Sequence, residues 1–177
     1  MITDTRRRIQ EEIDKSLTQL DQLVKITKLP IITDKNGSPL WVDVRELDLR
    51  YQIPVKKIYK FYEGLGKGKV MATKCPKCGA IYFPPQADCS KCRSSDLEWI
   101  EMPAEGEVVA FTKIFVKPVS FSHYPDYYVV VARMSNGVNV TAWYRGKDQP
   151  KVGERVKLNV VERDPEGYLT YEFEPWG

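Results

Sequence analysis

Residues 75–92 read CPKCGAIYFPPQADCSKC, two C-x-x-C pairs with ten residues between them. Four thiolates in this pattern can surround one tetrahedral ion, each sulfur about 2.3 Å from the metal. The short spacing inside each pair lets one tight turn aim two sulfurs at a common point. Gly79 frees the backbone just behind the first pair. Cys75, Cys78, Cys89 and Cys92 are therefore the candidate metal ligands. Protein fills all four positions, which favours structural zinc, because a catalytic zinc keeps one position open. Iron in a rubredoxin-like site is the alternative, since the same thiolate geometry holds it. Lys77 and Lys91, beside the thiols, are expected to help lower their pKa values. So small a module has little core of its own, and bound metal would supply much of its stability.

Upstream, Thr3 and Asp4 can cap a helix, and Ile9, Ile13, Leu17, Leu20 and Val24 recur at helical spacing until Pro30 interrupts. The apolar face so formed needs a surface, within the chain or on a partner. LPIITDKNGSPLWVDV then reads as two short apolar runs around Asn36-Gly37, a hairpin pattern. A second helix is expected from Pro54, with Ile58, Phe61, Tyr62 and Leu65 on one side and the glycines of GLGKGK ending it.

Downstream of Gly106 the periodicity changes. EVVAFTKIFV, YYVVVARM, VNVTAWY, RVKLNVVER and YLTYEFE are rich in β-branched and aromatic residues. Turn signals at Ser135-Asn136-Gly137 and Asp164-Pro165-Glu166-Gly167 separate two pairs of these runs. Five short strands with little helix point to a small closed barrel of the oligonucleotide/oligosaccharide-binding (OB) kind. The expected fold is α+β: an N-terminal helix and hairpin extension over 1–52, a helix plus rubredoxin-like zinc ribbon over 53–102, and a five-stranded OB barrel over 103–177.

Charge and composition narrow the function. The chain has 177 residues and a net charge of +3, with 42% hydrophobic and 29% charged residues, which is globular composition. Residues 50–93 alone carry 10 basic and 2 acidic side chains, whereas residues 94–177 are net −4 and residues 1–49 net −1. A basic centre attracts an anionic ligand or an acidic partner surface. No apolar run is long enough to span a bilayer, and MITDTRRRIQEEID lacks the apolar core of a secretory signal. The cytoplasm is the expected location, where disulfides are disfavoured.

Candidate catalytic groups are sparse. With all four cysteines on the metal, no thiol is left as a nucleophile. His123 is the only histidine, and a triad with Ser120 or Ser122 and Asp126 would have to form within one short loop. GLGKGK matches neither a P-loop nor a dinucleotide fingerprint. A binding or scaffolding protein is expected, with no enzyme activity of its own.

The run FYEGLGKGKVMATKCPKCGAIYFPPQADCSKC followed by LEWIEMPAEGEVVAFTKIFV resembles the zinc-ribbon/OB-fold family of acyl-CoA-associated proteins, long described as a domain of unknown function. The matching residues are Phe61 to Leu65, the four cysteines, Phe83-Pro84-Pro85, Glu98-Trp99, Gly106 and Phe173-Glu174-Pro175. Gln86, where many relatives carry Arg, and Arg93, where a knuckle glycine is common, depart from the pattern without touching the ligands. The resemblance implies a partner of thiolase-like enzymes. The longer form with a helical extension is similar to the archaeal scaffold that bridges acetoacetyl-CoA thiolase and hydroxymethylglutaryl-CoA (HMG-CoA) synthase. There it helps form a shared site for the CoA pantetheine arm, which lets the intermediate pass without release. Another thiolase-like enzyme or an aldolase is the alternative partner.

Candidate CoA contacts are Tyr82, Phe83, Lys113 and Phe115 near the ribbon-to-barrel junction, and Phe121 and Tyr124 in an aromatic loop. Packing of the ribbon against the barrel is the competing role for Tyr82 and Phe83. Two rival functions use the same parts. Single-strand nucleic-acid binding fits ribbon, barrel and basic centre, but the net acidic barrel half opposes it. Electron transfer would require iron at the cysteines.

Overall fold

The computed structural model describes residues 2–43 and 52–177, with the side chains of residues 2–6 and 9 also left out of the description. Contacts divide the chain into two compact units, Met1–Gln52 with Val116–Pro125, and Ile53–Phe115 with Asp126–Gly177. Among the described residues no helix is long and apolar enough to cross a membrane.

In the first unit, helix α1 spans Ile2–Thr27, so it starts ahead of Thr3 and Asp4. The expected cap side chains, and that of Ile9, lie outside the described residues. Ile13, Leu17, Leu20, Leu23 and Val24 form a half-buried line, and most positions between them are exposed. Strands β1 (Ile31–Thr33) and β2 (Pro39–Trp41) make the expected hairpin, with Ile31 opposite Trp41. The Asp34 carboxylate accepts the amides of Asn36 and Ser38 at 2.8 Å each, and Gly37 takes the left-handed φ of 85° the turn needs. The Val116–Pro125 excursion belongs to this unit, and its 3-10 turn Val119–Phe121 lies against α1. The aromatic loop is thus at least partly packed by its own chain.

The second unit opens with a 3-10 turn, Lys56–Ile58, that leads into helix α2, Tyr59–Leu65. The α-helix begins later than Pro54 for a local reason. Val55 and Ile58, which precede the turn and the helix, have no side chain able to accept from the free first-turn amides. Strand β3 (Met71–Lys74) runs antiparallel between β4 (Ile81–Tyr82) and β5 (Glu98–Glu101) to form the ribbon sheet.

The remaining strands are β6 (Glu105–Ile114), β7 (Tyr127–Met134), β8 (Asn139–Tyr144), β9 (Arg155–Arg163) and β10 (Tyr168–Pro175). They close into the expected five-stranded barrel in the order β10-β8-β7-β6-β9. All pairings are antiparallel except β8 with β10. Alternate residues point inward, so Val130, Ala132 and Met134 of β7 meet Val140, Ala142 and Tyr144 of β8, with Val108, Val156, Leu158 and Phe173 completing the core. Val70, Ala72 and Met102 join the same cluster, so ribbon and barrel share one core.

Candidate metal centre

The two cysteine knuckles are built by the same backbone pattern. In the first, the Cys75 amide donates to the Ala80 carbonyl at 2.8 Å and the Gly79 amide to the Cys75 carbonyl at 2.9 Å. In the second, the Cys89 amide donates to Ser94 and the Arg93 amide to Cys89, each at 2.8 Å. The fifth residue of each knuckle turns left-handed, Gly79 at φ 73° and Arg93 at φ 60°. Glycine adopts this conformation freely, whereas a residue with Cβ is strained there by about 1–2 kcal/mol. Arg93→Gly is therefore expected to stabilise the protein by about 1 kcal/mol, read as a higher midpoint in denaturant unfolding.

The four sulfurs all lie within 4.8 Å of one another. Cys75 to Cys92, Cys78 to Cys89 and Cys89 to Cys92 are each 3.5 Å apart, and all four cysteines are free. A tetrahedral ion with 2.3 Å arms needs sulfurs about 3.8 Å apart, so the donor set fits such an ion. Cys75 and Cys89 are buried, Cys78 is half-buried and Cys92 is exposed.

Tyr82 tunes this cluster. Its hydroxyl accepts from the Ser90 hydroxyl at 3.2 Å and from the Lys91 amide at 3.3 Å, which leaves its own proton for Cys89 Sγ at 3.1 Å. That hydrogen bond is the leading cause of a Cys89 thiol lowered to about 6; the Cys92 amide helps, against desolvation. At Cys92 the Ser94 amide favours the thiolate, but hydrogen bonds with Cys75 and Cys89 prevail and push the thiol up to about 12. The control at Cys89 thus comes first from a tyrosine hydroxyl, not from the flanking lysines. Tyr82→Phe is expected to weaken metal binding about tenfold, measured by chelator competition, because outer-shell partners commonly carry that much.

The other candidate contact residues occupy separate surroundings. Phe83 packs edge-on against Tyr171 of the barrel, ring centres 5.2 Å apart, and against Phe61 of α2 at 6.3 Å. Lys113 Nζ lies 4.9 Å from the exposed Phe115 ring and 3.7 Å from the Asp126 carboxylate. Phe121 and Tyr124 belong to the first unit, their rings 5.7 Å apart, with His123 over Tyr124 at 4.2 Å. The Ser122 hydroxyl donates to the Val119 carbonyl at 2.8 Å, which commits its proton to the backbone. Two surface clefts, about 340 Å³ beside Arg133 and Arg155 and about 390 Å³ beside Thr73 and Trp99, are lined by other residues.

An OB barrel binds ligands on the outer face of its second and third strands, here β7 and β8. Trp143 of β8 stacks on Tyr127 of β7 with ring centres 3.8 Å apart at 24°. The Arg163 guanidinium lies 4.0 Å from the same indole centre. Tyr127 fills one face at that distance, so Arg163 covers the other. The buried Glu172 carboxylate then takes Arg163 at 3.0 Å and Arg145 at 2.9 Å. The aromatic platform on this face is closed by the protein itself.

Comparison with known proteins agrees with this architecture. Residues 63–98 match the family described as "ChsH2, rubredoxin-like zinc ribbon domain", and residues 99–161 match "ChsH2, C-terminal OB-fold domain". The two ranges meet within β5, which suits a ribbon and barrel that share one core. A "DUF35 domain-containing scaffold protein" of Methanocaldococcus jannaschii is 25% identical over 114 residues, covering 59% of this chain and 78% of its own length. Its counterpart in Methanothermobacter thermautotrophicus is 25% identical over 107 residues, 57% of this chain and 80% of the relative. A solved structure, the "Ltp2-ChsH2(DUF35) aldolase", shares the fold with a TM-score of 0.60 at 22% identity, over 71% of this chain and 98% of that one.

Proposed function

The chain joins a ChsH2-type zinc ribbon to a ChsH2-type OB-fold domain over residues 63–161, and from that premise we propose that it is a cytoplasmic, non-catalytic scaffold for CoA-thioester enzymes. The partners assigned are acetoacetyl-CoA thiolase and HMG-CoA synthase, with a shared site for the CoA pantetheine arm. Such a scaffold hands an unfavourable condensation product to the enzyme that consumes it. The observation that carries the scaffold reading is 25% identity, over 114 and 107 residues, to two relatives called scaffold proteins.

The ion assigned to Cys75, Cys78, Cys89 and Cys92 is zinc in a structural role, since four soft thiolates converge and leave no open position. Bound there, it would clamp the two knuckles together. Tyr82 orients the cluster, and Phe83 ties the ribbon to the barrel. An iron site would show thiolate-to-iron absorption in the visible, and a colourless metal-loaded chain excludes it.

The deciding experiment is affinity purification of the tagged chain from its native extract, with mass spectrometry of retained proteins. Recovery of a thiolase and an HMG-CoA synthase in fixed ratio is the expected result. A different thiolase-like enzyme or an aldolase would keep the scaffold and change its pathway; the fold shared with the Ltp2-ChsH2(DUF35) aldolase favours this as the second reading. Recovery of nucleic-acid-associated proteins with no CoA enzyme would overturn both. The closed Trp143 platform speaks against that outcome, because base stacking needs an open aromatic face.

A further inference from the structure

Helix α2 and the turn before it present two different faces. Phe61, Gly64 and Leu65 point into the unit, and Phe61 meets Phe83 and Tyr171 edge-on. Outward stand Tyr59, 56% exposed, Tyr62, 45% exposed, and Ile53, 66% exposed. Tyr59 and Tyr62 are three residues apart and so lie side by side on the helix surface. Tyr62 is held edge-on against Phe61 at 5.3 Å.

The surroundings of these rings are strongly basic. Residues 53–67 carry four lysines, Lys56, Lys57, Lys60 and Lys67, against the single acid Glu63. Lys57 reaches Asp88 at 3.8 Å, but Lys56, Lys60 and Lys67 are exposed and make no ion pair among the described residues. Exposed rings with few rotatable bonds, rimmed by charge that is predominantly of one sign, are the composition of a protein interface: aromatic anchors supply affinity and the rim steers the approach.

We propose that this face, centred on Tyr59 and Tyr62 and rimmed by Lys56, Lys60 and Lys67, docks onto an acidic surface of the partner enzyme. The inference rests on the scaffold reading and assigns it a surface. The occupant is a protein rather than a nucleic acid for two reasons. Trp143 of the barrel's stacking face is sandwiched by Tyr127 and Arg163, and residues 94–177 are net −4, so the barrel half does not add to the positive charge that a strand-binding surface needs.

The test uses full-length chain and the thiolase or synthase recovered in the affinity purification, repurified and titrated by calorimetry. Tyr59→Ala with Lys60→Glu is expected to weaken binding at least tenfold, with metal content and thermal midpoint unchanged because both side chains are exposed. Leu169→Ala, an exposed apolar change on the barrel, is expected to bind as the parent does. Added salt should weaken the parent chain's binding more than the double variant's. Equal affinity of parent and double variant would overturn the inference and leave the scaffold reading standing. Tight binding of a labelled oligothymidylate at low salt, lost in the double variant, would overturn the protein occupant. Retention of no enzyme by the parent chain would sink the scaffold reading and this inference with it.

Discussion

Cys75→Ser is expected to release the metal and unfold the ribbon, while Cys92→Ser leaves a weakened but metal-binding protein. The two thiols differ in burial. Cys75 is fully buried with its amide and carbonyl fixed in the knuckle, so a hydroxyl there can neither ligate as well nor reach water. Cys92 is exposed, and water can take its place on the ion. Structural zinc binds small thiolate modules with roughly 10–16 kcal/mol, comparable to the whole stability of an ordinary domain, about 5–15 kcal/mol. Loss of a buried ligand should therefore exceed the ~10–100-fold affinity cost of outer-shell changes. The damage should also spread, because Val70, Ala72 and Met102 share the barrel core. The checks are metal content by mass spectrometry and thermal unfolding followed by circular dichroism. Parent-like metal content and midpoint in Cys75→Ser would show that the ligand assignment is wrong.

Glu172→Ala is expected to destabilise the barrel by about 3 kcal/mol. The Glu172 side chain is only 5% exposed and faces Arg163, itself 12% exposed; Arg145, at 47%, is the more solvated partner. Removal of a carboxylate from such a pair leaves a largely buried guanidinium without its counter-charge, which commonly costs about 3–5 kcal/mol. Burial already works against the charged form of Arg163, and the Glu172 hydrogen bond is the main effect that holds its pKa above the ordinary value. Glu172→Leu combined with Arg163→Leu should cost less than Glu172→Ala alone, since it removes the orphaned charge too. Urea unfolding of the three proteins decides this; a double variant no more stable than the single would show that the ion pair is not what stabilises this face.

Much of the fold was legible because its signals are local. The five strand segments follow alternation within each run, and two of them, Tyr127–Met134 and Arg155–Arg163, have the expected ends. The hairpin at Asn36-Gly37 depends on four residues and forms where expected. The start of α2 was misplaced because Pro54 marks where a helix can begin, while the missing cap at Val55 determines that only a 3-10 turn does. Tyr82 shows the opposite limit. Its place between the knuckles is visible in sequence, but its hydrogen bond to Cys89 appears only once the Ser90 hydroxyl and Lys91 amide orient its proton.

From the sequence alone follow the convergence of four cysteines, the strand segments and the basic centre, because each depends on spacing within a few residues. The tertiary structure decided that ribbon and barrel share one core, that residues 116–125 leave the barrel unit to lie with α1, and that Trp143 is covered on both faces. It also brought Glu172 between Arg145 and Arg163. That meeting needs β10 to lie between β8 and β9, an adjacency produced by barrel closure. Strand order and register join residues far apart in the chain, and no local periodicity encodes which strand will be the neighbour.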